Sequence, residues 1–172
     1  LVVAGARQAE QVLAMAQSRI EVLAPDLRRT LRAASVFGQV FWAGGVRALL
    51  GGSPASGPAE DWLVRLIDRE YINRRRQPRF ADEDELEFRH ALLREAAYAM
   101  LTDTDLALGH RLAAEWLERA GESDALVLAE RFERGGERAR ARGWYHRAAA
   151  QALEGNDFKT ADAHAERAVA CG

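Results

Sequence analysis

Residues 87–101 constrain the chain most: a strand-like Glu87-Phe88-Arg89-His90 runs straight into Ala91-Leu92-Leu93-Arg94-Glu95-Ala96-Ala97-Tyr98-Ala99-Met100-Leu101. Leu92, Leu93, Ala96, Ala97, Met100 and Leu101 recur at the helical period and wrap a wide apolar stripe along one side. Ala91, Arg94, Glu95 and Tyr98 form a second, mixed face. A helix of this kind can touch two layers at once, so the stretch reads as a joint between two modules. Before it, helices are mixed with a hairpin; after it, every pattern is helical.

Upstream, Val12, Leu13, Ala16, Ile20 and Leu23 predict one helix over residues 8–23, behind a short apolar start at residues 1–5. Pro25 interrupts it, and Asp26 suits the first turn of a second helix that carries Leu27, Leu31 and Ala34 and should stop near Gly38. Residues 40–50 hold a compact apolar set, Phe41, Trp42, Val46, Leu49 and Leu50, ended by Gly51-Gly52-Ser53-Pro54 and a loop to Pro58. Trp62, Leu63, Leu66 and Ile67 predict a third helix over residues 59–69. Tyr71-Ile72-Asn73-Arg74 and Leu86-Glu87-Phe88 then read as two strands joined by a turn that contains Pro78. Three short helices followed by a two-stranded ribbon is the order of a winged helix.

Downstream, Thr102-Asp103-Thr104-Asp105 has the spacing of a capping box and opens a helix that should end at Gly121. Ser123 or Asp124 suits the cap of the next, which Gly135-Gly136 should close as a left-handed pair. Two more helices follow, over residues 137–153 and from Phe158 onward. Their starts are alike: Arg138 is followed by Ala141 and Ala148, and Phe158, 20 positions on, by Ala161 and Ala168. Small residues at matching offsets let neighbouring helices approach closely, as stacked helical hairpins require.

The Gly-x-Asp-Phe-x-x-Ala-x6-Ala pattern that ends at Ala168 resembles the second half of a tetratricopeptide repeat, with Tyr145, Ala148, Ala149 and Ala152 in the small and aromatic positions of the first half. A wider resemblance covers residues 20–172. It is carried by Leu31-Arg32-Ala33-Ala34-Ser35-Val36-Phe37-Gly38, by Phe88-Arg89-His90-Ala91-Leu92-Leu93-Arg94-Glu95-Ala96-Ala97-Tyr98 and by Ala129-Glu130-Arg131-Phe132. These segments are similar to the region after the nucleotide-binding domain in bacterial STAND-type signalling ATPases, which are often fused to a serine/threonine kinase or adenylate cyclase domain. The resemblance implies a winged-helix element followed by helical repeats. It implies no chemistry in this chain, which has no Gly-x4-Gly-Lys-Ser/Thr and no strand-borne acidic partner for magnesium.

Basic and acidic residues number 24 and 26, so no overall charge draws the chain to nucleic acid or an anionic membrane. The single cysteine, Cys171, excludes an internal disulfide and a cysteine-based metal site, and points to reducing cytoplasm. No apolar run approaches the ~20 residues that span a bilayer. A start at Leu1 and an end in mid-pattern suggest a piece of a longer protein.

A DNA-binding transcriptional regulator fragment is the alternative that a winged helix invites. Its third helix carries Glu60, Asp61, Asp68 and Glu70 against Arg65 and Arg69, which opposes phosphate contact; Arg74, Arg75, Arg76 and Arg79 on the wing favour it. His90 has no serine, cysteine or second histidine nearby in sequence, so a helix-entry hydrogen bond or core contact is expected of it. His110, His146 and His164 lack the spacing of a metal site. No catalytic, cofactor-binding or metal-ligating role is assigned to any residue.

The expected architecture is mostly α: a leading helix (residues 1–24), a winged-helix-like module with a small β-hairpin (25–101) and a tetratricopeptide-like helical array (102–172). The expected function is non-catalytic and regulatory, coupling an ATPase domain to a protein-interaction surface. Arg89, His90, Arg94, Glu95 and Tyr98 are the candidates for interdomain coupling, and Arg138, Arg142 and Arg147 for a partner-binding face suited to an acidic peptide. The partners expected are adjacent domains and another protein, with neither nucleic acid nor membrane.

Overall fold

In the computed structural model, which describes residues 2–52 and 58–172, the first helix, α1, spans Val2–Glu21. It starts ahead of the apolar period because that period marks only the packed face, where Ala16 and Ile20 are buried. A second helix, α2 (Pro25–Phe37), has proline in its first turn and Asp26 beside it. Gly38, at φ 123°, ends it in a conformation that a side chain would strain.

Residues 40–50 form two elements where the sequence suggested one apolar set. Val40–Trp42 is a strand, β1, and Ala43–Leu49 a short helix, α3. Branched and aromatic side chains suit a pleated surface, and three residues are too few to display the alternation of a strand. The chain continues through α4 (Pro58–Asp68), β2 (Ile72–Arg74), β3 (Glu85–Phe88) and α5 (Ala91–Ala99). Residues 53–57, expected as a loop, lie outside the described residues.

The expected two-stranded ribbon is therefore a three-stranded antiparallel sheet of order β1-β3-β2. Phe41 stands opposite Leu86, and Ile72 opposite Phe88. The succession α2-β1-α3-α4-β2-β3 is that of a winged helix whose first strand precedes the second helix. The Phe41 and Phe88 rings lie 5.3 Å apart among fully buried Ile20, Leu27, Leu31 and Leu66. The Tyr71 hydroxyl donates to the Arg19 carbonyl at 2.9 Å, tying α1 to the base of β2. Residues up to Thr102 form one compact unit.

The second unit, Asp103–Gly172, is built from α6 (Asp103–Ala120), α7 (Ala125–Arg134), α8 (Arg138–Glu154) and α9 (Phe158–Ala170). Each packs against the next. Asp124 caps α7, accepting from the Leu126 and Val127 amides at 3.0 and 3.3 Å. Only the second residue of the expected left-handed pair is left-handed: Gly136 has φ 78°, while Gly135 stays helical at −79°. Gly155 and Asn156 repeat this at −81° and 57°. Gly121, at 89°, closes α6 in the same way. After each helix an amide five residues on returns to the chain, Glu122 to Leu117, Glu137 to Phe132 and Asp157 to Ala152, all at 2.9 Å. The repeat seen in sequence is thus a repeat of backbone geometry, and Ala141, Ala148, Ala161 and Ala168 are all buried.

Candidate functional site

Of the five residues expected to couple domains, Arg94 is the most engaged within its own unit. Its Nε donates to the Ser35 carbonyl on α2 at 3.4 Å, and its guanidinium lies 4.7 Å from the centre of the Tyr98 ring. Arg89 turns the other way, to Glu70 at 3.0 Å, while its amide donates to the Tyr71 carbonyl. His90 occupies the N-cap position of α5 with its side chain exposed and making no capping bond, so the expected helix-entry bond or core contact is not what this histidine provides. An imidazole in extended backbone at that point projects into solvent. Glu95 is exposed. The five therefore split: Arg94 and Tyr98 form one half-buried pair, and Arg89, His90 and Glu95 stand at the surface.

The arginines expected to make a partner-binding face do not share one. At ~100° per residue, Arg142 lies about 40° around α8 from Arg138, but Arg147 about 180° from it. Arg147 stacks on Trp144 at 4.8 Å. Arg140, in the same run, points inward, covering the Phe132 ring at 3.9 Å and pairing with Glu115 and Glu118 of α6. Arg138 and Arg142 remain as an exposed pair.

What fastens α7, α8 and α9 together is a group that no spacing in the sequence announces. The buried Tyr145 of α8 donates its hydroxyl to Glu133 Oε2 at 2.5 Å, and Arg167 of α9 reaches both Glu133 oxygens at 2.6 Å. Burial is the largest influence on Glu133 and opposes its charge, but Tyr145 and Arg167 together outweigh it and hold the carboxyl below its ordinary range. Burial first, then the bond to Glu133, pushes the Tyr145 hydroxyl up to about 12. Arg167 is raised by the same carboxylate. Gln151 adds a second fastening, donating to the Ser123 carbonyl and accepting from the Ala125 amide.

The signs give a testable pH profile. A lowered carboxyl contributes stability that is complete above the unfolded value near 4.5 and is lost as pH falls through the lower folded value. A raised phenol contributes below its ordinary value of 10.0 and loses that contribution as pH climbs to about 12. Urea unfolding followed by circular dichroism should weaken on both limbs in the native protein. Tyr145→Phe should flatten the alkaline limb and soften the acid one; unchanged limbs would show that the triad is idle.

The wing is held by an equally unannounced carboxylate. Glu85, only 4% exposed, accepts at Oε2 from Trp42 Nε1 at 3.0 Å and from the Arg79 amide at 2.7 Å, and pairs through Oε1 with Arg75 at 3.2 Å. Arg74 pairs with Asp84 at 3.1 Å. Two of the four wing arginines are thus committed to carboxylates of their own hairpin. Across residues 72–88, four arginines face five acids. On α4, Asp61 and Asp68 are exposed, and the Glu60 side chain lies outside the described residues. Both segments that a winged helix offers to phosphates thus carry more acids than arginines.

An open cleft of about 460 Å³ is lined by Asp103, Thr104, Ala107, Leu108, Arg111 and Gly135. Arg111 there leans to Glu137 at 3.7 Å. Among the described residues no group of three or more histidine, cysteine, aspartate or glutamate side chains is placed to hold a metal ion. No helix among them is long and apolar enough to cross a membrane. No protein-family model, curated protein or solved structure matches the chain.

Proposed function

We propose that the chain is a non-catalytic, regulatory and protein-interaction part of a bacterial signal-transduction ATPase, acting in the cytoplasm and coupling a nucleotide-binding domain to a partner through helical repeats. One observation carries the reading: a winged-helix topology whose phosphate-facing surfaces are acidic or self-neutralised is followed, three residues after α5, by stacked helices of repeat geometry. A winged helix that rejects phosphate has protein as its natural contact, and stacked repeats present extended faces to protein. The half-buried Arg94 and Tyr98 would transmit through packing, with exposed Arg89, His90 and Glu95 available to a neighbouring domain. No cofactor is needed.

Anisotropy titration of a labelled duplex at low salt tests this. The expected result is no saturable binding in the submicromolar range, since acids outnumber arginines on both the wing and α4 and leave little net positive charge to displace counterions. A tight complex that weakens steeply with salt would restore the DNA-binding alternative. A P-loop in the flanking sequence of the full-length protein would support the ATPase attribution, and its absence would remove it.

A further inference from the structure

We draw no further inference here: the strongest candidate, the open cleft along the first turns of α6 where Arg111 already leans to Glu137, rests on a helix N-terminus, and nothing else among the described residues points to a ligand for it.

Discussion

Glu85→Ala should destabilise the sheet-bearing unit by about 2–4 kcal/mol, because it takes the charged acceptor from two donors, at about 1–3 kcal/mol for each one left unsatisfied. Removal of the carboxylate strands the Trp42 indole and the Arg79 amide, which donate to one and the same oxygen at 3.0 and 2.7 Å. The indole has no room to reach water, since Trp42 is buried against Phe80 at 4.9 Å and against Phe37 at 6.1 Å. Glu85→Gln separates the hydrogen bonds from the charge. Its amide oxygen can take the Oε2 position and keep both donors, and its NH2 then faces Arg75, which is 42% exposed and free to swing into solvent. That variant should lose about 1–2 kcal/mol. Urea unfolding monitored by tryptophan fluorescence distinguishes the two. Equal losses would show that the donors are dispensable, and a loss below 1 kcal/mol for alanine would show that the wing is held by its apolar contacts alone.

Glu85 also marks where sequence reading stops. The helical periods of residues 25–37, 91–101 and 103–170 were legible because each helix buries a single stripe and leaves the rest wet. Strand β1 was not, since Val40, Phe41 and Trp42 are only three residues long and run directly into α3. Its pairing with β3 is a contact across more than 40 residues, beyond any local pattern. The Trp42–Glu85 anchor spans 43 residues and is hidden in the same way. The Glu133–Tyr145–Arg167 group, with separations of 12 and 34, is hidden because an acid, a tyrosine and an arginine at unremarkable positions become a site only when three helices bring them together. Arg138, Arg142 and Arg147 fail in the opposite direction: close in sequence, they are spread around the helix by its 100° step. For Arg89, His90, Arg94, Glu95 and Tyr98 the sequence located the segment, and tertiary packing divided it into a half-buried pair and an exposed remainder.

Gly135→Ala should cost about 1–3 kcal/mol, while Gly155→Ala, at the matching place one repeat later, should be neutral or slightly stabilising. Both glycines have right-handed φ angles, −79° and −81°, so backbone strain is not the reason for either. Space is. A Cβ at Gly135 would stand 2.8 Å from the Arg111 amide nitrogen and 2.9 Å from its Cα, and these are backbone atoms of α6 that no rotamer change can move aside. A Cβ at Gly155 would meet nothing nearer than the Ala152 carbonyl at 3.4 Å, an ordinary contact. Relief at position 135 therefore requires the α7–α8 turn to lift from α6, which would stretch the Arg111–Glu137 and Arg140–Glu115 pairs and uncover the Phe132 ring beneath Arg140. The lift should appear as faster amide exchange around residues 132–141 in Gly135→Ala and not in Gly155→Ala. Matched losses in the two variants would mean that both turns need glycine for flexibility, and the close approach of α6 would no longer explain why position 135 has no side chain.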